Sequence, residues 1–337
     1  MAEIEFYLIL LSSIGLDLLI GDPRFIIHPV QIIGFLIKIK TNLFLYLFKN
    51  KNQLIWLGFL LFFTIVFISY LSGKLVEIAY FRYSKNFFLK LTILVGLSSC
   101  LATGNLISSL KEIASLFKNK SFDNNMKSKI RNKVQRIVSR DVSQSSLQDL
   151  LRSATESLTE NSVDGIFGPL FWIFVGSLTI KYSIFLPGPL SLGFTYKAIS
   201  TLDSMIGYKY SSYQYLGFFS ARIEDFATYL PCRLVALTLP LVSKSVRNYF
   251  YILRNSFIDG GKYDSPNSGV SEGIFAYTLG IKLGGENKYI DGLITKPILN
   301  PKGEECSLES INNACNLILR LMLIWTFSFS IIYFYIQ

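Results

Sequence analysis

The sequence predicts an all-α polytopic membrane protein with about four to six spanning or re-entrant helices. Hydrophobic residues make up 51% of the 337 positions and charged residues 17%, and the mean hydropathy is +0.41. This balance is too apolar for a typical water-soluble enzyme and too charged for a bare channel. Apolar runs of nearly bilayer length alternate with charged segments. We therefore expect a catalytic region on the cytoplasmic face, built from loops and short helices.

The two ends of the chain contain most of the predicted spans. The runs at 4–20, 54–71 and 87–110 are long enough to cross or nearly cross a bilayer, and 318–336 forms a final span. The stretch at 26–39 is shorter and follows a loop that contains proline. We expect it to form an interfacial or re-entrant helix.

The middle of the chain predicts a hairpin and a water-facing segment. The run at 166–200 is too short for two full crossings, which need about 20 residues each. Lys181 and the Pro-Gly-Pro sequence at 187–189 lie in its middle and indicate a hairpin of short tilted helices or a re-entrant pair. The run at 230–242 is interrupted by proline and arginine, and 243–309 is polar and rich in Gly and Asn.

Charge indicates the orientation and excludes some classes of protein. The net charge is +10, and the segment from 111 to 140 is strongly basic, which predicts that it lies in the cytoplasm. No zinc-finger spacing or alternation of aromatic and basic residues favours nucleic-acid binding. The four cysteines form no C-x-x-C pair, so neither a disulfide framework nor a zinc site is predicted.

We predict one membrane-embedded domain over 1–337. Its five parts are N-terminal spans at 1–110, a basic loop and acidic helix at 111–165, a hairpin and charged motifs at 166–242, a water-facing segment at 243–317, and a C-terminal span at 318–337. We see no internal repeat, which disfavours a transporter built from inverted repeats.

A row of acids precedes the central apolar run. Glu156, Glu160 and Asp164 are spaced by four, so one helix face would carry all three carboxylates, and Arg152 extends the row backward. A solvated helix face would explain an ordinary row of this kind. Here the row ends where an uncharged run predicted to lie in the membrane begins, and charged groups at such a boundary indicate a functional site.

Further charged clusters follow along the chain. Several carboxylates together with several arginines suit Mg²⁺ and phosphate chemistry, because carboxylate oxygens hold Mg²⁺ and arginines grip phosphate oxygens. The chain has one histidine and no P-loop, so a hydrolytic triad and P-loop nucleotide binding are disfavoured. The cluster residues are Arg140, Asp141, Lys197, Asp203, Ser204, Arg222, Glu224, Asp225, Arg233, Asn267 and Glu272.

Five motifs occur together in a fixed order. They are Asp17-Leu-Leu-Ile-Gly-Asp-Pro-Arg24 with His28-Pro-Val; Arg140-Asp141 with Glu156, Glu160-Asn161, Val163-Asp-Gly165 and Pro169-Leu-Phe171; Tyr196-Lys-Ala198 with Thr201-Leu-Asp-Ser-Met205 and Gly207-Tyr208; Ala221-Arg222, Asp225, Leu230-Pro231 and Arg233-Leu234; and Ser265-Pro-Asn267, Gly269, Glu272, Leu283-Gly-Gly285, Tyr289 and Gly292. On these motifs the chain resembles the adenosylcobinamide-phosphate synthase family (CbiB/CobD) of cobalamin biosynthesis.

The resemblance implies an ATP-dependent amide ligase. Such an enzyme joins adenosylcobyric acid to (R)-1-aminopropan-2-ol or its O-phosphate, with Mg²⁺ and ATP as expected co-substrate and the corrinoid as substrate. It also implies a multi-pass protein of the bacterial plasma (inner) membrane, with a cytoplasmic active face and contacts to the lipid bilayer and to other late cobalamin-pathway enzymes. A membrane transporter, a phosphotransferase or a scaffold of the same pathway are the alternatives.

The resemblance also suggests roles for individual residues. Expected catalytic residues are Glu156, Glu160, Asp225 and Glu224, and either of the last two could accept the proton of the amine. Expected Mg²⁺ ligands are Glu160, Asp164 and Asp203. Expected substrate or ATP contacts are Arg24, Arg140, Asp141, Asn161, Lys197, Ser204, Arg222, Arg233, Asn267 and Glu272. The chain departs from the family pattern at Ser200, Glu224, Thr228 and Cys232.

Overall fold

The structure, a computed structural model, describes residues 2–21, 29–118, 123–207, 213–289 and 292–336. Two compact units divide the chain. The first combines Met1–Gly104, Asp164–Thr228 and Thr326–Gln337, and the second combines Asn105–Val163 and Tyr229–Trp325. The prediction of one domain over 1–337 stays a prediction, and each unit is described by itself.

Helices form most of the described chain. They are α1 (Ala2–Ile20), α2 (Pro29–Leu47), α3 (Lys51–Arg82), α4 (Phe87–Ser98), α5 (Thr103–Phe117), α6 (Asn124–Gln135), α7 (Leu147–Ser162), α8 (Gly168–Tyr182), α9 (Pro189–Ile206), α10 (Tyr213–Leu216), α11 (Phe218–Thr238), α12 (Tyr249–Gly260), α13 (Ser268–Leu279) and α14 (Leu308–Tyr335). A π-helical turn at Val163–Phe167 joins α7 to α8, and short 3₁₀ turns occupy Leu239–Val242 and Val246–Asn248. Two strands, β1 (Leu283–Tyr289) and β2 (Gly292–Leu299), lie between α13 and α14.

Within the described residues, five helices are long and apolar enough to cross a membrane, and a bent helix pair raises the number to six. The five are Pro29–Leu47, Lys51–Arg82, Leu147–Tyr182, Phe218–Val242 and Leu308–Tyr335, and the bent pair is α4 with α5. A polytopic, mostly helical membrane protein is therefore confirmed. The run predicted at 54–71 lies inside the longer helix α3, and the run predicted at 318–336 lies in α14 up to Tyr335.

Two N-terminal predictions were wrong in detail. The stretch at 26–39 was expected to form a short interfacial or re-entrant helix, whereas α2 continues to Leu47 and is long enough to span. Its apolar pattern continues past position 39 without a helix breaker, and residues 26–28 lie outside the described residues.

The single span predicted at 87–110 is broken into α4 and α5, which meet at 45°. A buried acid lies at this break. The Asp17 carboxylate accepts a hydrogen bond from the backbone N–H of Thr103 at 3.0 Å, so it caps the start of α5. A Cβ atom on Gly104 would lie 2.2 Å from the Asp17 carbonyl oxygen, so this approach requires glycine.

The turn predicted in the central hairpin is confirmed, but its first helix is not short, because α8 continues the helix that begins at Leu147. A second buried acid lies at this turn. Helix α8 ends before the Pro-Gly-Pro turn and α9 begins at Pro189. Glu77 of α3 is fully buried and accepts hydrogen bonds from the backbone N–H groups of Leu190 (2.8 Å) and Ser191 (3.0 Å). Lys74, also buried, lies 3.5 Å from the Glu77 carboxylate. The carboxylate therefore satisfies two donors at the start of α9 that the helix itself leaves unpaired.

The acidic row and the apolar run after it form one continuous helix, Leu147–Tyr182. The π-helical turn adds a residue to one turn where the polar part meets the apolar part. Because this turn shifts the helical phase, spacing by four does not extend unchanged from Glu160 to Asp164.

The segment at 243–309 has more regular structure than its composition predicts. Strands β1 and β2 pair antiparallel, with Gly285 opposite Lys296 and Tyr289 opposite Gly292. The sequence did not predict this hairpin, because Gly, Asn and Lys in β1 are poor strand formers. The hairpin carries several of the residues described next.

Candidate functional site

Glu156 is the centre of a buried charge cluster in the second unit. Its side chain is 0% exposed. One carboxylate oxygen, Oε2, forms an ion pair with Arg140. The other, Oε1, accepts a hydrogen bond from the backbone N–H of Gly284 at 2.7 Å and lies 3.4 Å from Arg152 Nη1. Two arginines and a backbone amide therefore compensate one buried carboxylate, as burial of a charge requires.

Local sequence explains part of this cluster. Ser146 caps α7 by accepting a hydrogen bond from the backbone N–H of Asp149 at 3.1 Å. Arg152 and Glu156 are one helical turn apart, the spacing at which opposite charges meet. Arg152 also donates from Nη2 to the carbonyl of Glu286 at 2.8 Å, so α7 is fixed to the middle of β1.

Gly284 allows the backbone of β1 to come close to the Glu156 carboxylate. Its φ of +85° lies in the left-handed region, and a Cβ atom there would be 2.1 Å from the Pro297 carbonyl oxygen. The position therefore requires glycine. Its N–H then reaches Glu156 while its carbonyl accepts from Arg152.

Asn287 connects the two arginines and was not predicted. Its Oδ1 accepts from Arg140 Nη1 at 2.7 Å and from Arg152 Nη1 at 3.2 Å. Burial alone would lower the pKa of Arg140, but the charges of Glu156 and Glu272 raise it, so the guanidinium stays protonated. Nothing in the local sequence distinguishes Asn287, because its role depends on the hairpin.

A second buried carboxylate, Glu272, lies on α13 in the same unit. It is 0% exposed, and it accepts hydrogen bonds from Lys296 Nζ at 3.1 Å and from Tyr263 Oη at 3.3 Å. Burial raises the pKa of Glu272 to about 7, although Lys296 lowers it, and the negative charges of Glu156 and Glu160 add to the rise. Lys296 and Tyr263 were missed, since neither stands in a charged motif.

A polar cleft of about 250 Å³ opens beside the Glu156 cluster. Both signs of charge line it, and Asp141 and Lys288 approach to 3.6 Å across it. The lining includes Arg140, Asp141, Gln144, Arg152, Asn287 and Lys288. The structure thus places two predicted residues, Arg140 and Asp141, at one cleft.

Two other predicted residues contact each other in the second unit. Arg233 donates to the Asn267 side-chain oxygen at 2.6 Å and to the Pro266 carbonyl at 2.8 Å. Its guanidinium also lies over the Tyr229 ring, 3.8 Å from the ring centroid. These contacts orient the guanidinium and tie α11 to the start of α13.

In the first unit, Glu224 belongs to a buried hydrogen-bond chain. Thr228 Oγ1 donates to Glu224, and the Tyr196 hydroxyl lies 2.9 Å from Thr228 Oγ1. Thr228 and Glu224 are positions at which the sequence departs from the expected pattern, and here the threonine hydroxyl contacts both neighbours. A Cβ atom on Gly168 would lie 2.1 Å from the Tyr196 hydroxyl oxygen, so the chain also depends on that glycine.

A model of the CobD/Cbib protein family matches residues 10–318, which is most of this sequence. The chain belongs to the CobD/CbiB family. "Cobalamin biosynthesis protein CobD" of Synechocystis sp. is 37% identical over 296 residues, covering 87% of this chain and 81% of that protein. The protein of the same name from Listeria monocytogenes (EGD-e) is 33% identical over 341 residues, 96% of each chain. "Cobalamin biosynthesis protein CbiB" of Salmonella typhimurium is 38% identical over 158 residues, 47% of this chain and 46% of that protein. No solved structure matches.

The remaining predicted residues of this CobD/CbiB-family chain are distributed over both units. Asn161, exposed in the second unit, donates from Nδ2 to the carbonyl oxygen of Ser157 at 2.8 Å, one turn back on α7. Arg24 and His28 lie outside the described residues. The predicted residues that belong to the first unit are Asp164, Lys197, Asp203, Ser204, Arg222, Glu224 and Asp225. Their roles stay predictions.

The carboxylates described here do not form a resident metal site. Within the described ranges, no group of three His, Cys, Asp or Glu side chains could hold a metal ion. Glu156 is neutralised by two arginines, and Glu272 by Lys296. The side chain of Glu160 is half-buried and has no hydrogen bond or ion pair with a described residue. It is the acid of the row that remains available to a ligand.

Proposed function

We propose that this chain is an ATP-dependent amide ligase of cobalamin biosynthesis, an adenosylcobinamide-phosphate synthase. It would join adenosylcobyric acid to (R)-1-aminopropan-2-ol or its O-phosphate. The family match over residues 10–318 and relatives named cobalamin biosynthesis proteins support the pathway. The observation that carries the enzymatic proposal is the buried cluster of Glu156, Arg140 and Arg152 beside an open polar cleft. Fixed charges beside a cleft are typical of catalytic sites and of little use to a scaffold.

The proposed reaction activates a carboxylate and then forms an amide. The corrinoid carboxylate oxygen attacks the terminal phosphorus of ATP and releases ADP, which gives an acyl phosphate. The amine nitrogen attacks the acyl carbon, the C–O bond to phosphate breaks, and the nitrogen loses a proton. No protein nucleophile is needed, so the protein contributes binding, orientation and charge stabilisation.

The size of the cleft suits a phosphate group or the amino alcohol phosphate better than the corrinoid. At about 250 Å³ it is smaller than the roughly 300–1,000 Å³ of pockets that enclose drug-sized ligands, so a corrin ring does not fit inside it. Its mixed charges suit a phosphate group or an amino alcohol phosphate, which carries both signs of charge. We propose that Arg140, Asp141 and Lys288 contact such a group.

Roles elsewhere follow from exposure and contacts. Asp225 is half-buried and Glu224 is buried with Thr228 donating to it, so Asp225 is the more accessible of these two acids of the first unit. Arg233 and Asn267, held together at 2.6 Å, form a second polar contact point for substrate. Mg²⁺ is usually held by one or two protein carboxylates together with substrate phosphates, and Glu160 is the best placed for this role in the second unit.

The test uses full-length protein in nanodiscs with adenosylcobyric acid, ATP, Mg²⁺ and either amine, and follows corrinoid products by mass spectrometry. Glu160→Gln keeps the size of the side chain and removes its charge. We expect the wild-type protein to make an ATP-dependent amide and Glu160→Gln to lose at least about 100-fold in rate. Glu304→Gln, which removes an exposed acid in the same unit, is the matched control and should keep full activity.

Each outcome of this assay has a distinct meaning. No amide from folded wild-type protein with either amine would reject the ligase proposal. Equal rates for the wild-type protein and Glu160→Gln would keep the ligase but move the site away from the acid row. A preference for one amine would identify the natural substrate.

We also propose that the active face is cytoplasmic in a bacterial inner membrane. The basic segment from 111 to 140 supports this orientation. Exposed Lys129 on α6 offers the test. A Lys129→Cys variant should resist a membrane-impermeant thiol reagent in intact cells and react after lysis, and labelling in intact cells would reverse the orientation.

A further inference from the structure

Helix α12 packs inward through small residues, as helices do in membranes. Its buried side contains Ser256 and Gly260, four residues apart, and α13 presents Gly269 and Gly273 with the same spacing. A Cβ atom on Gly260 would lie 2.5 Å from the Gly269 carbonyl oxygen, and one on Gly269 would lie 2.2 Å from the Gly260 carbonyl oxygen. Small residues spaced by four allow this close approach without a large apolar interface.

The opposite side of α12 is apolar and exposed. Phe250 is 83% exposed, Tyr251 58% and Ile258 51%, and Phe257 is also exposed. Phe250 and Phe257, and Tyr251 and Ile258, are each seven residues apart, so the four form a stripe along one side of the helix, with exposed Arg254 between them. In water, four large apolar side chains exposed on one helix side are unusual and mark an interaction surface.

The exposed stripe continues from the end of a membrane span. The candidate span Phe218–Val242 ends a few residues before α12, and its last turns expose Leu237 and Leu241. The Tyr249 hydroxyl donates to the Leu237 carbonyl at 3.0 Å, which fixes the start of α12 against that span. Helix α12 has 12 residues, about 18 Å in length, which is too short to cross a hydrocarbon core of about 30 Å.

Charge completes the pattern. Lys244, Arg247 and Arg254 are exposed on and just before α12, and no acidic residue occurs from 243 to 258. Basic side chains beside an apolar helix face favour the negatively charged headgroups of a bilayer. A soluble protein partner would not require the patch to continue from a membrane span.

We propose that α12 lies flat in the membrane interface, with Phe250, Tyr251, Phe257 and Ile258 among the lipids and Arg247 and Arg254 at anionic headgroups. The segment at 243–309, expected to face water, would then rest partly on the bilayer. Because α12 packs on α13, which carries Glu272, this contact would hold the second buried carboxylate at a fixed height beside the membrane. The proposal does not depend on the ligase activity.

Site-directed spin labelling of full-length protein in nanodiscs tests the proposal. The four native cysteines are buried, so labels attach to introduced ones. Phe250→Cys and Phe257→Cys place the label on the stripe, and Lys302→Cys places it on an exposed turn of the same unit. We expect the first two labels to collide more often with oxygen, which concentrates in lipid, and the third to collide more often with a water-soluble nickel reagent.

Two results would overturn the proposal. Access to the nickel reagent at both stripe positions would place α12 in water, and protection from both reagents would show that protein covers it. The second arm compares neutral nanodiscs with nanodiscs that contain anionic phosphatidylglycerol. Anionic lipid should deepen the label at position 250, and Arg247→Ala with Arg254→Ala should abolish that difference. No lipid dependence, or dependence that survives the double substitution, would reject the role of the arginines.

Discussion

Replacing Glu156 by Gln tests the charge cluster at its centre. Glutamine has nearly the same shape, and its side-chain oxygen can still accept the hydrogen bond from the Gly284 N–H, which is 2.7 Å long in the structure. The substitution therefore removes a charge and leaves the packing. Arg140 and Arg152, both buried, lose this carboxylate, although Arg152 keeps its ion pair with Asp149 at 3.3 Å.

The expected cost follows from that loss. Removing one partner of a buried ion pair costs roughly 3–5 kcal/mol, because the other charge stays buried without compensation. An unfolding entropy of about 2.1 cal/mol/K per residue over 337 residues gives roughly 1.4 °C per kcal/mol, so the melting temperature should fall by roughly 4–7 °C. Arg140 and Arg152 both keep hydrogen bonds to Asn287, which limits the loss to the charge term.

The assay is thermal unfolding in detergent, followed by intrinsic fluorescence. Glu160→Gln removes a carboxylate one turn along the same helix, where the side chain is half-buried and makes no ion pair with a described residue. We expect that control to stay within about 2 °C of the wild-type protein. Equal melting temperatures for the two variants would refute the account of Glu156. Adding Arg140→Met to Glu156→Gln should recover part of the lost stability, since it removes one uncompensated charge.

Three further predictions concern glycines and pH. Gly168→Ala should lower the melting temperature by several degrees, because the new Cβ would lie 2.1 Å from the Tyr196 hydroxyl oxygen. Gly165→Ala, whose Cβ would have its nearest neighbour at 3.4 Å, should change the melting temperature little. Equal falls in melting temperature for the two variants would contradict this packing. Gly284→Ala should make the β-hairpin sensitive to limited proteolysis, because alanine is strained at the φ of +85° that Gly284 adopts. An unchanged digestion pattern would contradict the described backbone. Burial raises the pKa of Glu272 to about 7, so the stability that its neutral form contributes is present at low pH and is lost as the pH rises through 7. The melting temperature should therefore fall between pH 5 and 8. Glu272→Gln should make the melting temperature less dependent on pH over this range.

Local composition explains what could be predicted. The apolar runs at 54–71 and 318–336 correspond to candidate spans, Lys51–Arg82 and Leu308–Tyr335. They could be predicted because the length and hydropathy of a run can be measured without knowing its tertiary contacts. The Pro-Gly-Pro sequence at 187–189 correctly predicted a turn, since proline and glycine restrict the backbone locally. The ordered motifs also led to the CobD/CbiB family.

Contacts between distant residues explain what was missed. At the break between α4 and α5, Thr103 donates to Asp17, which lies 86 residues earlier in the sequence. The first strand of the β-hairpin consists of residues with low strand propensity, and its backbone groups form hydrogen bonds with side chains of α7. The Gly284 N–H donates to Glu156, and the Glu286 carbonyl accepts from Arg152. The acid row was interpreted as a functional site, and the structure pairs its first member, Glu156, with two arginines, one of which, Arg140, comes from outside the row.

The sequence by itself determined that this protein is a multi-pass helical membrane protein of the CobD/CbiB family, and which segments concentrate its charge. Only the tertiary structure decided how those charges pair. Arg152 with Glu156 could be inferred from helical spacing, but Arg140 with Glu156, Lys296 with Glu272, and Asn287 between the arginines could not. The physical reason is that hydropathy and helical periodicity are local properties, whereas a buried charge is stabilised by whichever opposite charge the fold brings within about 4 Å.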